Sequence, residues 1–344
     1  NQRYAVRVDT ATFSSTLADA ESLRSFFQSL IPQGLAGVVL IGDLPVPWYQ
    51  MMDDFGGPPY DYEEFPIDLF YMDLDGTWED TLMNGGGFLV PGSDSILDTH
   101  YGNMAADIWV GRLTVSPLGD EIAILRNYFD KNRAYRVGSL TLEDRALVYV
   151  DDDWRYWAGQ WSNDVGLLYP VRTTVSHPET TIADDYRGRL SHSYEWIAVF
   201  AHSSPSLHAF LYNGGSSWSW FYGYEIPGID PISSFYNLFA CSNARYVESG
   251  YMGGRYIFTD TWGLGAVGST KTGSMLEFQD FYYPLSQGEC LGDGFAEWFA
   301  IWAEAQGDTS RSWFYGMTFL GDPSLCIIDS TGVAEQLTND QLSM

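Results

Sequence analysis

Two short apolar segments indicate the fold of the chain, and each is followed by a residue that can take part in catalysis. Residues 196–201 read WIAVFA and precede His202, and residues 236–240 read YNLFA and precede Cys241. Near-continuous apolar runs of this length are typical of strands buried on both faces of a mostly parallel sheet. If the two strands are neighbours, His202 and Cys241 emerge at the same carboxyl edge of the sheet, where α/β folds bind their ligands.

Further segments of the chain show the same apolar character, and helical patterns lie between them. The other predicted strands are residues 35–41, 105–110, 146–150 and 264–267. Apolar residues recur at helical spacing in residues 16–29, 120–134 and 293–305. This alternation predicts an α/β layered fold in one compact unit, with two subdomains considered at 1–137 and 138–330 and a polar tail at 331–344.

The composition excludes several classes of protein. The chain has 344 residues, of which 45 are acidic and 17 basic, so its net charge is −28. Nucleic acids and anionic membranes attract basic surfaces, so neither is expected as a partner. An apolar fraction of 45% excludes a disordered chain. No apolar run reaches the roughly 18 residues that a membrane span needs.

Cys241 and His202 are candidates for a catalytic pair. A cysteine nucleophile needs a nearby base, because the ordinary thiol is mostly protonated at neutral pH. Backbone N–H groups of residues 242–244, which follow the cysteine, could hold an oxyanion. The alternative is a buried structural cysteine and a loop histidine, but their placement at two strand ends favours catalysis. The chain also contains Cys290 and Cys326, so at least one of its three cysteines must be a free thiol.

Several short motifs occur in order along about residues 35–328. They are LIGD at 40–43, DLFYMDLDG at 68–76, DIWVGR at 107–112, FACSN at 239–243 and GDPSL at 321–325. Together with His202 after its apolar strand, this order resembles the gingipain family of cysteine peptidases, distant relatives of caspases and legumains. The resemblance implies a caspase-like three-layer α/β sandwich with a mostly parallel central sheet. It also implies a secreted or cell-surface cysteine endopeptidase that acts on peptide or protein substrates.

The resemblance also implies roles for individual residues. Cys241 corresponds to the nucleophile, His202 to the general base, and Asp107 to the acid that orients His202. The backbone N–H groups of Cys241 and Ser203 correspond to the oxyanion donors. Relatives usually have glycine where Ser203 stands, and a positive φ at that position would cost serine free energy. This departure keeps open a second hypothesis, in which the chain is an inactive relative that serves as a cell-surface binding module.

Asp120 and Trp262 are the candidate substrate-binding residues. Asp120 lies eight residues past Arg112, where arginine-specific gingipains carry the acid at the bottom of their specificity pocket. A buried carboxylate there would bind an Arg or Lys side chain of the substrate. The alternative is that Asp120 lies in the first turn of a helix, where the helix dipole favours acids.

Two further stretches have both a functional and a structural interpretation. Asp73, Asp75 and Asp80 place carboxylates around a glycine turn, which suits a structural Ca²⁺ ion or simply a solvated acidic loop. Residues 203–231 are expected to form a long loop, in which Trp218 and Trp220 either line a substrate groove or pack against the sheet. The same two tryptophans are the basis of a third hypothesis, a calcium-stabilised carbohydrate-binding module.

Overall fold

The computed structural model describes residues 4–327, apart from residues 56–59, 85–86 and 303–306. Its strands are β1 (Gly37–Ile41), β2 (Trp48–Met52), β3 (Tyr62–Pro66), β4 (Thr77–Glu79), β5 (Leu82–Met83), β6 (Leu89–Val90), β7 (Thr99–Tyr101), β8 (Trp109–Leu113), β9 (Ala146–Val150), β10 (Arg172–Val175), β11 (Trp196–Phe200), β12 (His202–Ser204), β13 (Leu207–Tyr212), β14 (Ser217–Tyr222), β15 (Phe235–Phe239), β16 (Gly265–Ser269) and β17 (Met317–Gly321). Its α-helices are α1 (Leu17–Leu30), α2 (Leu69–Met72), α3 (Glu121–Arg136), α4 (Ala158–Val165), α5 (Ala183–Arg189), α6 (Ile226–Ile229), α7 (Met252–Ile257), α8 (Phe278–Ser286), α9 (Leu291–Trp302) and α10 (Asp308–Phe314). The predicted polar tail at 331–344 lies outside the described residues.

The central sheet has eight strands in the order β1-β8-β17-β16-β15-β11-β9-β10. β16, β15, β11, β9 and β10 form one parallel array, β1 is parallel to β8, and β17 is antiparallel to β16. The predicted mostly parallel sheet is therefore confirmed. Phe200 of β11 lies opposite Phe239 of β15, so the strands that precede His202 and Cys241 are neighbours.

Helices cover both faces of this sheet, because successive strand residues point to opposite sides. In β9, Ala146, Val148 and Val150 join one hydrophobic cluster, while Leu147 and Tyr149 join another. The first cluster also receives side chains from α1, α4, α8 and α9, and the second receives side chains from α3, α5 and α7. The result is the predicted three-layer α/β sandwich.

Both predicted subdomains contribute to the same sheet. β1 and β8 lie within residues 1–137 and the remaining strands of the sheet within residues 138–330. Each hydrophobic cluster likewise contains residues from both ranges. Within the part of the chain that the structure describes, no helix has the length and apolar character that crossing a membrane requires.

The region at 203–231, expected to be a loop, instead contains a three-stranded antiparallel sheet of β12, β13 and β14. The expectation was wrong because the segment SWSWFY alternates serine with aromatic residues, a pattern that suits a strand with one open face. Trp218 and Trp220 lie on that open face and are 43% and 50% exposed. This three-stranded sheet begins at His202, just after β11, so it lies on one side of the candidate site.

Candidate active site

The carboxyl ends of three neighbouring parallel strands form the candidate active site, which we call the active-site edge. Asp153 follows β9, His202 follows β11, and Cys241 follows β15. Extending the β11–β15 register by two residues places His202 beside Cys241. Both residues line one cavity of about 220 Å³. The structure thus brings together the two residues on which the predicted chemistry depends.

The ring of His202 is held by a carboxylate and two indoles. Its Nε2 lies 2.9 Å from an Oδ2 atom of Asp153. Trp218 contacts the ring edge-on at 5.2 Å between centroids, and Trp154 lies at 5.6 Å. A hydrogen bond donated from Nε2 to this carboxylate leaves the lone pair of a neutral ring on Nδ1. Nδ1 is therefore the atom that can accept a proton from a thiol.

Cys241 sits at the start of a tight turn. Ser242 adopts a positive φ of 57°, and its N–H donates to the Lys271 carbonyl at 2.8 Å. Burial raises the pKa of the Cys241 thiol above its ordinary value, and the Glu63 carboxylate acts in the same direction. A backbone N–H of Gly273 and the charge of Lys271 act in the opposite direction. The resting group is therefore a thiol that needs a base, and His202 lines the same cavity.

Ser203 fits its position without the conformational cost considered above. Its φ is not positive, and it lies in β12, where an ordinary L residue is unstrained. Its hydroxyl donates a hydrogen bond to the backbone carbonyl of Cys241. The serine side chain therefore ties the histidine strand to the cysteine turn, a connection that glycine could not make.

The structure does not bring Asp107 to His202, which corrects the prediction that Asp107 orients the histidine. β8 is separated from β11 by β17, β16 and β15, a distance of about 19 Å at roughly 4.8 Å per strand spacing. An oxygen of Asp107 instead accepts the backbone N–H groups of Leu74 and Asp75 at 2.7 and 3.2 Å. The carboxylate on His202 belongs to Asp153.

Asp120 and Trp262 also lie outside the cavity around Cys241. Asp120 caps α3, where its side chain accepts the Ala123 N–H at 3.1 Å, so its structural interpretation is the one that the geometry supports. Trp262 precedes β16, whereas Cys241 follows the parallel strand β15. The two residues therefore lie at opposite edges of the sheet. The basis for expecting a basic side chain before the cleaved bond is lost with Asp120.

The predicted calcium ligands separate into two groups. Asp73 and Asp75 lie with Asp107, with ligand atoms within 4.8 Å of one another, and we call these residues the acidic loop. Asp80 lies apart, and its carboxylate accepts hydrogen bonds from residues 93–95. The prediction of Asp80 as a calcium ligand beside Asp73 and Asp75 therefore does not fit the geometry.

Oxygen atoms of the acidic loop already accept hydrogen bonds from other groups of the protein. Asp73 accepts the Gly76 N–H at 2.7 Å and lies 2.5 Å from Nε2 of His100. Arg24 donates to the backbone carbonyls of Phe70, Asp73 and Gly76. Because Ca²⁺ takes six to eight oxygen ligands, this arrangement does not fit the ion well, and a guanidinium already supplies positive charge. The calcium site stays a prediction.

Sequence reasoning missed several residues around Cys241 and His202. Asp153 follows the apolar run 146–150 just as His202 follows its own strand, so the same strand-end signal could have found it. Phe55 and Trp313 also line the cavity, but they come from distant segments without a motif of their own. Only the folded chain brings such residues together.

The other two cysteines of the chain form a disulfide. Cys290 and Cys326 are bonded to each other, which leaves Cys241 as the free cysteine. The expectation of at least one free thiol is confirmed, and that thiol is the candidate nucleophile.

Comparisons with known proteins agree with this geometry. The model of peptidase family C25 matches residues 3–327. The chain is similar to the solved complex of Porphyromonas gingivalis RgpB pro- and mature domains, with a TM-score of 0.59 and 14% identity over 90% of this chain and 70% of that one. It is also similar to the crystal structure of the Arg-specific cysteine proteinase gingipain R (RgpB), with a TM-score of 0.55 and 16% identity over 90% and 68%. No curated protein gives a match.

At these identities the solved structures show a shared caspase-like fold and nothing finer. The family model extends over nearly all of the sequence, including the strands that precede His202 and Cys241. The chain therefore belongs to peptidase family C25, the gingipain family.

Proposed function

We propose that the chain is an active cysteine endopeptidase in which Cys241 is the nucleophile, His202 the general base and acid, and Asp153 the residue that orients His202. The observation that carries this proposal is the cavity shared by Cys241 and His202, with the far side of the imidazole 2.9 Å from Asp153. Membership of family C25 supports a cysteine peptidase.

Acylation begins with a proton transfer from the Cys241 thiol to Nδ1 of His202. The thiolate then attacks the carbonyl carbon of the scissile peptide bond, and the carbonyl oxygen becomes an oxyanion. Backbone N–H groups of Cys241 and Ser203 are the proposed oxyanion donors. Asp153 stabilises the imidazolium that forms, because it accepts the hydrogen bond from Nε2.

Collapse of the tetrahedral intermediate breaks the C–N bond. The imidazolium of His202 gives its proton to the leaving amine, and the acyl group stays on Cys241 as a thioester. His202 then takes a proton from water as its oxygen attacks the thioester carbon and forms a second tetrahedral intermediate. Collapse of this intermediate breaks the C–S bond and releases the carboxylic acid product, and the imidazolium returns its proton to the Cys241 thiolate.

Labelling of Cys241 tests the proposal. Peptidyl acyloxymethyl ketones with Arg, Lys, Leu or Phe next to the reactive carbon would be applied without reductant and the adduct located by mass mapping. Because the other cysteines form a disulfide, we expect modification at Cys241 alone, and Cys241→Ala should lose at least about 1,000-fold in peptidase activity. Activity that survives in Cys241→Ala would refute the proposal.

The inactive binding module predicts a different result. A thiol that no member of the probe set modifies, in a folded protein, would favour that alternative. Trp218 and Trp220 would then be the first surface to examine for glycan or protein binding, because both indoles are half exposed on β14. The contact between Trp218 and His202 supports the enzyme instead, because it gives the tryptophan a role in holding the base.

The proposed enzyme acts outside the cell or at the cell surface. The Cys290–Cys326 disulfide supports this location, since disulfides persist in oxidising compartments. The low lysine content and the net charge of −28 are compatible with it. Fractionation of the native source should find the protein in the culture medium or on intact cells, and recovery from the cytoplasm with reduced cysteines would contradict the assignment.

A further inference from the structure

We propose that the cavity beside Cys241 selects an apolar side chain, aromatic or long aliphatic, at the substrate residue whose carbonyl is attacked. This inference rests on the proposed function and names its substrate class. The cavity touches both members of the catalytic pair, so it is the space nearest to the attacked carbonyl. Four aromatic residues share its lining, namely Phe55, Trp154, Phe239 and Trp313.

Aromatic rings form the walls of this cavity. Trp313 contacts Phe55 edge-on at 5.1 Å between centroids and lies over Phe239 at 6.2 Å. Trp154 closes the side next to His202 and contacts Phe239 at 5.2 Å. These rings already support one another, so the cavity is held open by packing and does not have to be formed by the substrate.

The described lining contains no Asp, Glu, Lys or Arg. A guanidinium or ammonium group in this cavity would lose its hydration without gaining a carboxylate partner, which is costly. An apolar side chain would instead leave water for a surface of indole and phenyl rings. The physical chemistry of the walls thus favours Phe, Tyr, Leu or Met over Arg or Lys.

Three acids, Asp53, Asp61 and Glu63, line a neighbouring, smaller hollow of about 150 Å³, which shares Phe55 and Thr272 with the cavity beside Cys241. Two of them are paired with a lysine, and Asp61 does not line the cavity beside Cys241. The Lys271 ammonium lies 2.6 Å from Asp53 and 3.1 Å from Glu63, and Glu63 also accepts from Thr272. A substrate cation would have to compete with a buried lysine that is already in place.

A fluorogenic peptide library that varies only the residue before the cleaved bond tests the inference. We expect kcat/KM for Phe, Tyr, Leu or Met to exceed that for Arg or Lys by at least about tenfold. A preference for Arg or Lys would overturn the inference and leave the proposed function standing. Failure to cleave any member, with no labelling of Cys241 by the ketone probes, would overturn both.

Two variants test whether Phe55 and Trp313 determine the preference for an apolar side chain. Phe55→Ala and Trp313→Ala should each lower kcat/KM for a Phe substrate at least about fivefold relative to an Ala substrate. Phe129→Ala is the matched control for the first, because Phe129 is 42% exposed on α3 and Phe55 is 39% exposed. Since Phe55 is half exposed, its variant should fold even if Trp313→Ala does not. An unchanged Phe-to-Ala ratio in Phe55→Ala and a folded Trp313→Ala would overturn the inference.

Discussion

The active-site edge and the acidic loop each contain an exposed aspartate, but the two aspartates accept hydrogen bonds from different kinds of group. Asp153 and Asp107 are both exposed aspartates next to a strand of the central sheet. Asp153 accepts from the ring of His202, which can change its charge, while Asp107 accepts from two backbone N–H groups, which cannot. A carboxylate that bonds a titratable side chain can serve catalysis, whereas one that bonds only the backbone stabilises a turn.

Exchanging each carboxylate for an amide gives the largest expected contrast. Asp153→Asn should lower kcat/KM about 100-fold or more, because a neutral amide cannot stabilise the imidazolium and can present its NH₂ group to Nε2. Asp107→Asn should leave kcat/KM within about twofold, because its remaining oxygen can still accept from Leu74 and Asp75.

Both variants should be assayed with the same peptide, and their unfolding midpoints compared with that of the wild-type protein. A rate loss in Asp107→Asn as large as that in Asp153→Asn, at unchanged stability, would mean that the two regions do not differ in the way described.

A second prediction concerns Arg24, which supplies positive charge to the acidic loop. The acidic loop is tied by Arg24, which makes four hydrogen bonds to three backbone carbonyls and is half buried. Arg24→Ala should lower the free energy of unfolding by about 2 kcal/mol, because buried carbonyls lose a charged donor. Arg7→Ala removes an exposed arginine that pairs with Asp9 and is the control, with an expected change near zero.

Treatment with a chelator tests whether Arg24 alone supplies positive charge to the acidic loop or whether a calcium ion binds there as well. If the guanidinium supplies the positive charge of the acidic loop, excess EDTA should leave the melting temperature of the wild-type protein unchanged. A fall in melting temperature with EDTA that added Ca²⁺ restores would show that a cation also binds, and would support the calcium prediction.

The sequence predicted the sheet better than it predicted the site. Continuous apolar runs such as 146–150 and 196–201 can be recognised because burial on both faces leaves no room for polar residues. The order of the strands is set by long-range pairing, so the sequence could not show that three strands separate Asp107 from His202. The residues that line the cavity could not be predicted for the same reason, since Phe55 lies in a loop and Trp313 in a helix far away in the chain.

The smallest expected effect is a pH dependence of the free energy of unfolding that arises from His100, which contacts Asp73 of the acidic loop. His100 is buried between Asp73 and Tyr315, and burial lowers its pKa below the usual value of 6.5, although Asp73 acts in the opposite direction. Below about pH 6.5 the unfolded chain therefore binds a proton that the folded state resists. This residue should make the free energy of unfolding fall as the pH drops, by at most about 1.4 kcal/mol per pH unit.

His100→Gln removes that titration while keeping an amide that can donate to Asp73 and accept from Tyr315. Its free energy of unfolding, measured in urea between pH 7.5 and 5, should fall less steeply than that of the wild-type protein. His192→Gln, at an exposed histidine, should keep the wild-type slope. Equal slopes for wild type and His100→Gln would show that the histidine of the acidic loop does not resist protonation. Burial would then shield His100 from solvent no more than it shields the half-exposed His202.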